Sequence, residues 1–198
     1  MATSEETIAW ILTAAALACT LVPFYKGLRV CLSGWSATRR VDPQQLRQAG
    51  GGAHPTGVEP LALLMMRVLR KSLRESEHGS DPADFIFDAS RQYVMNEFEA
   101  HFTRLISMFG SLLPPIGFIG TTGGMLMLFL SMSTSDSSLE LGALALALTS
   151  SIFALIGFSI LEGMKIRLYA RLLLALRDVQ TLFDSAEAKR ERKQVAAA

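Results

Sequence analysis

The sequence predicts an all-α integral membrane protein with three transmembrane helices, the second and third extended as long helices into the cytoplasm. Three observations predict it. Half of the 198 residues are hydrophobic and the mean hydropathy is +0.32, too apolar for a soluble domain of this size. The apolar residues cluster: Thr7–Tyr25, Leu105–Ser135 and Leu141–Leu161 run nineteen, thirty-one and twenty-one residues without a charge. A helix needs roughly 20 such residues to cross a hydrocarbon core of about 30 Å. Finally, the nineteen Lys and Arg avoid residues 1–6 and 131–140 altogether, with eleven between Lys26 and Arg104 and eight between Lys165 and Lys193.

That asymmetry sets the orientation. Basic residues stay on the cytoplasmic side, so residues 1–6 and the turn at 132–140 lie outside, and 26–104 and 163–198 lie in the cytoplasm. The expected organisation is an outer N-terminus (1–6), a first span (7–25), a cytoplasmic loop with helices (26–104), a second span (105–131), the outer turn (132–140), a third span (141–162) and a cytoplasmic C-terminal helix and tail (163–198). The acidic N-terminus, with Glu5 and Glu6 and no base, also lacks the basic start of a cleaved secretory signal.

Taken in order, the first span ends near Lys26. Arg39–Val58, with three consecutive Gly and two Pro, reads as a flexible linker. Glu59–Glu75 reads as an amphipathic helix whose stripe is Leu61, Leu64, Met65, Val68 and Leu69, with its bases off the stripe. The stripe is expected to pack on neighbouring cytoplasmic helices. Asp81-Pro82-Ala83-Asp84 opens the next helix, with Asp81 as N-cap, Pro82 in the first position and Asp84 at the positive end of the dipole. No breaker follows until Gly110, and Phe85, Tyr93, Phe98, Phe102 and Leu105 recur near helical spacing. One helix from Pro82 to Leu130 would be about 73 Å long. The third span is expected to continue likewise to about Ala188.

Several chemistries find no support. Cys19 and Cys31 are not placed for an oxidised pair. His54, His78 and His101 lack metal-ligand spacing. No nucleophile–base pair is apparent, and Gly50-Gly51-Gly52 lacks the Lys and hydroxyl that a phosphate loop needs. The expectation is therefore a non-enzyme with no catalytic residue, no metal, no cofactor and no nucleic-acid partner. A lipid bilayer is its surroundings.

The informative stretch is Pro114–Leu126, PPIGFIGTTGGML, in which eight of thirteen residues are Pro, Gly or Thr. In lipid such residues are tolerated where protein or water satisfies the loosened backbone. Gly117, Gly120 and Gly124 share one stripe, and Gly120-x-x-x-Gly124 is a close-packing pattern. Thr121 lies on the same stripe. Thr149, Ser150 and Ser151 form a second polar cluster at similar depth in the third span, and the two clusters suggest a shared polar seam. Hydroxyls that merely bond back to their own helix are the alternative. None of the three charge-free runs carries an Asp, Glu, Lys, Arg or His, so if ions cross, a partner must supply the carboxylate.

Pro114–Leu126 resembles the P-x-x-G-L-L-G-T-V-x-G-M signature of the second core span in the MotA/TolQ/ExbB family of ion-driven motor subunits. Ala145–Leu155 resembles that family's A-L-x-x-T-A-x-G-L. Pro114, Gly117, Gly120, Thr121 and Gly124 fall on the first motif, and Ala145, Leu146 and Thr149 on the second. Thr122 stands for the motif Val, Ile152 for the Gly of the third span, Phe158 for its Pro and Leu144 for the Glu of TolQ and ExbB. The three-span topology is similar to TolQ and ExbB, not to four-span MotA.

The resemblance implies an ion-conducting subunit of a bacterial inner-membrane motor, with its N-terminus periplasmic and its C-terminus cytoplasmic. It implies a homopentamer around two copies of a single-span partner of MotB, TolR or ExbD type whose span carries an Asp. It further implies an ion pathway at Thr121, Thr149, Ser150 and Thr122, a pore wall packed through Pro114, Gly117, Gly120, Gly124 and Ala145, and H+ or Na+ as the coupling ion. A passive membrane scaffold that recruits partners through its cytoplasmic helices is the alternative, and the same packing glycines would serve it.

Overall fold

The structure, a computed structural model, describes residues 4–42, 44, 46, 59–76, 82–132 and 137–195. Those residues are helical almost throughout and include no strand. The longer α-helices among them follow one another as α1 (Ser4–Ala37), α2 (Leu61–Ser76), α3 (Ala83–Phe98), α4 (Arg104–Met132) and α5 (Ser137–Val195). A π-helical segment, Glu99–Thr103, joins α3 to α4 without a break. Two stretches among the described residues are long and apolar enough to cross a membrane: Ala83–Met132, taken through the π-helical segment, and Glu140–Ala186. The chain divides into two compact units, one of residues 1–31 and 104–165, the other of residues 32–103 and 166–198.

In the first unit, small residues let three helices approach. A Cβ added at Gly27 of α1 would stand 2.8 Å from Leu161 Cδ1 of α5 and 3.3 Å from Phe109 Cβ of α4. One at Gly157 of α5 would stand 3.2 Å from both Leu113 of α4 and Phe24 of α1. Around these contacts Ile106, Leu113, Ala154 and Leu161 are fully buried. Most other large side chains of α4 and α5 in this unit, such as Phe118, Phe129, Leu148 and Phe153, are exposed. That pattern of small residues inside and large apolar residues outside is the one lipid solvation permits.

The second unit has a conventional apolar core. Met65 and Leu69 of α2, Val94 and Phe98 of α3, and Leu168, Leu172, Leu176 and Val179 of α5 are buried. Phe87 stacks on Phe183 with ring centroids 5.0 Å apart. Of the stripe expected of α2, Leu61, Met65 and Leu69 are buried, Leu64 and Val68 are half-buried, and Ala62 is buried beside them. The stripe expected of α3 is displaced. Phe85 and Tyr93 are 65% and 51% exposed, whereas Ile86, Phe87, Ser90, Val94 and Phe98 are buried. The π-helical segment explains why no single phase fits. It takes up an additional residue, so the buried face of α4 (Ile106, Gly110, Leu113, Gly117) does not continue the α3 stripe at 100° per residue.

Helix ends differ from expectation in detail. α1 runs to Ala37, well past Lys26, where the Thr38 hydroxyl donates to Gly34 O at 2.9 Å. Pro82 occupies the N-cap of α3, not its first turn. Asp81, most of the expected 39–58 linker and residues 133–136 of the expected outer turn lie outside the described residues.

Candidate functional site

The site begins with the glycine stripe of α4. A Cβ at Gly117 would stand 2.6 Å from Ala154 Cβ, and one at Gly124 would stand 2.7 Å from Ala147 Cβ and 2.8 Å from both Ala143 O and Ala147 N. At Gly120 it would collide with the Ser150 side chain. The stripe therefore lets α4 pack closely on α5 of the same chain. Pro114 is half-buried and Pro115 exposed within α4. Each removes a backbone donor one turn before the stripe.

Close approach of the two backbones brings hydroxyls and carbonyls together. Thr121 Oγ1 donates to Gly117 O at 3.0 Å and reaches Ala147 O at 3.4 Å across the interface. It also makes a short hydrogen bond with Ser151 Oγ. Ser150 Oγ, which is buried, donates to Ala147 O at 3.1 Å and reaches Gly117 O at 3.4 Å, and Ser151 Oγ donates to Ala147 O at 3.3 Å. Two carbonyls, one from each helix, are thus shared by three hydroxyls. Among the described residues no buried side-chain nitrogen or oxygen lacks a partner, as burial of polar groups requires.

The expected polar seam is present, with a different membership. Thr121, Ser150 and Ser151 form it. Ser151 belongs to the second hydroxyl cluster read from the sequence. Thr149 is exposed and bonds back to Ala145 O at 2.7 Å, and Thr122 is exposed and bonds back to Ile119 O at 3.0 Å. The structure does not bring Thr149 to Thr121. Instead Gly142, Ala145 and Thr149 line an exposed strip of α5, and a Cβ at Gly142 would meet nothing within 4 Å.

At the other end of the hairpin Lys165 Nζ donates to Ser107 Oγ of α4 at 3.2 Å and pairs with Glu162. From there to Gly124 the α4–α5 contact extends over eighteen residues of α4, about 25 Å. No charged or imidazole side chain interrupts Leu105–Met132 or Leu141–Leu161. Among the described residues no cluster of His, Cys, Asp or Glu is arranged to hold a metal ion.

This is a charge-free helical hairpin with a hydroxyl–carbonyl seam at mid-depth. Comparison with curated proteins finds no match. Comparison with protein families finds one over residues 62–163, a little over half of the chain, which takes in nearly all of α2, then α3, α4 and α5 as far as Gly163. On that match the chain belongs to the MotA/TolQ/ExbB proton channel family.

Proposed function

We propose that the chain is the ion-conducting subunit of an inner-membrane motor that couples an ion gradient to mechanical work through a single-span partner bearing an Asp. α1 is the third span, and the N-terminus and the outer turn face the periplasm. The subunits form a ring, a homopentamer about two copies of the partner, as family members work in oligomeric complexes with partner subunits. The observation that carries this reading is the hairpin. It holds a hydroxyl cluster, with Ser150 buried, midway along its length and carries no Asp, Glu, Lys, Arg or His at that level. A channel wall of this kind can solvate an ion in transit but cannot hold its charge, so the carboxylate belongs to the partner.

Thr149 and Ala145 then face the partner from the exposed strip of α5, with Thr121 and Ser150 behind them and Thr122 adding a further oxygen from α4. Neutralising the partner's Asp by H+ or Na+ lets it pass an otherwise apolar wall. The experiment is ion flux in proteoliposomes carrying the chain and its co-expressed partner. Thr149→Val removes an exposed hydroxyl that bonds only to its own helix, so the complex is expected to assemble normally. Loss of a hydrogen-bonding oxygen from the path costs on the order of 1–3 kcal/mol, which slows transfer roughly tenfold at 1.4 kcal/mol per decade. Thr121→Val is expected to slow flux as well, with some loss of stability from the cross-helix bond. Undiminished flux of both ions in the double variant would remove these hydroxyls from the path, and absence of flux from the unaltered complex would favour a passive scaffold.

A further inference from the structure

The first unit carries a band of cations at one end. Lys26 and Arg29 lie on α1, Arg104 opens α4, and Lys165 lies on α5. The contacts fix their relative heights. Gly27 abuts Phe109 and Leu161, and Ser107 bonds Lys165. Stepping along each helix from those contacts at 1.5 Å per residue places all four within about 9 Å of one another along the helix axes. The polar layer on each face of a bilayer is of the same order, about 5–8 Å.

Charge in this band is unbalanced. Glu162 is the acidic residue there, and it is taken by Lys165. Lys26, Arg29 and Arg104 are exposed and have no acidic partner among the described residues. On the side toward the seam, apolar side chains are exposed on the same helices: Leu21 and Val22 on α1, Met108 and Leu112 on α4. Tyr25, also exposed, stands between the bases and these apolar groups on α1. An aromatic ring at that height is the usual mark of the headgroup level.

We propose that this band binds anionic phospholipid, the phosphate diester held by Lys26, Arg29 and Arg104 and the acyl chains lying along the exposed apolar faces below it. The inference rests on the reading of the first unit as membrane-embedded. It adds a lipid-class requirement that neither the family match nor the hydroxyl seam implies. Each base near such a surface contributes roughly a fivefold preference for anionic over zwitterionic lipid, and three act together.

The test uses the full chain, with its partner if one co-purifies, delipidated in detergent. Dioleoyl phosphatidylglycerol, dioleoyl phosphatidylcholine and inorganic phosphate are added separately, and bound lipid is read by native mass spectrometry beside the melting temperature. Phosphatidylglycerol is expected to be retained and to raise the melting temperature, and the other two are not. Lys26→Gln/Arg29→Gln/Arg104→Gln is expected to lose tenfold or more of that affinity. Arg74→Gln/Arg177→Gln/Arg192→Gln, which removes equal charge from the second unit, is expected to keep it. Should the triple variant fold poorly, Arg104→Gln alone is expected to lose severalfold. Equal retention of the two lipids, equal loss in both triple variants, or full stabilisation by inorganic phosphate would overturn the inference while leaving the membrane reading intact. Release of the chain from membranes by alkaline carbonate would overturn both.

Discussion

Gly123 and Gly124 are neighbours on α4 with opposite surroundings. A methyl at position 124 meets the α5 backbone at 2.8 Å, and one at position 123 meets nothing within 4 Å. Backbone cannot step aside as a flexible side chain can, so Gly124→Ala is expected to destabilise the hairpin by about 1–3 kcal/mol. Gly123→Ala is expected to be neutral or to stabilise by up to about 1 kcal/mol through helix propensity. Melting in detergent separates the two, and indistinguishable variants would refute the packing. Cys31 offers a second residue-scale check. Its burial pushes the thiol from 9.0 up to about 11, so at pH 8 its thiolate is roughly a hundredfold scarcer than that of an unperturbed thiol. Alkylation by iodoacetamide is expected to be correspondingly slow and to become normal in denaturant. The folded state binds this proton more tightly than the unfolded chain. Its stabilising contribution is therefore full below about pH 9 and fades as pH rises toward 11.

The α4–α5 hairpin was legible in its main features. Two charge-free runs joined by a short turn, a glycine stripe on one and hydroxyls on both, follow from composition and spacing. Which of Thr149, Ser150 and Ser151 turns inward did not follow, because consecutive residues differ by 100° about the helix and all three are polar. The register decides it, through the fit of Gly117 to Ala154, Gly120 to Ser150 and Gly124 to Ala147. The same reasoning explains the displaced α3 stripe, since a π-helical insertion leaves no mark in side-chain type. The register can be tested by cross-linking. In a chain whose Cys19 and Cys31 are replaced by Ser, Thr121→Cys/Ser151→Cys is expected to form an internal disulfide on mild oxidation. Thr121→Cys/Thr149→Cys is expected to remain reduced within the chain. The reverse result would require α5 to be rotated relative to α4, and the seam would then consist of other residues.

For the whole molecule, the governing quantity is where charge is allowed to be. Nineteen bases and eighteen acids nearly cancel, yet no base occurs in residues 1–6 or 131–140. The bases of the first unit gather in one band, at the end of the hairpin away from the turn that joins α4 to α5. Moving several Lys and Arg across a bilayer is costly, whereas an acidic or neutral terminus and turn cross readily. On the proposed reading that difference sets the orientation that apolar length alone leaves open, and α1 then crosses, with 1–6 and 26–40 on opposite faces. Single cysteines report it directly. In whole cells, a membrane-impermeant maleimide is expected to label Ser135→Cys, and to reach Gly51→Cys and Ala196→Cys only after the membrane is breached. Labelling of Gly51→Cys or Ala196→Cys in intact cells would reverse the hairpin. The base-rich band would then lie at the outer face, and the path from Thr149 to the partner's carboxylate would have to be redrawn from the other side.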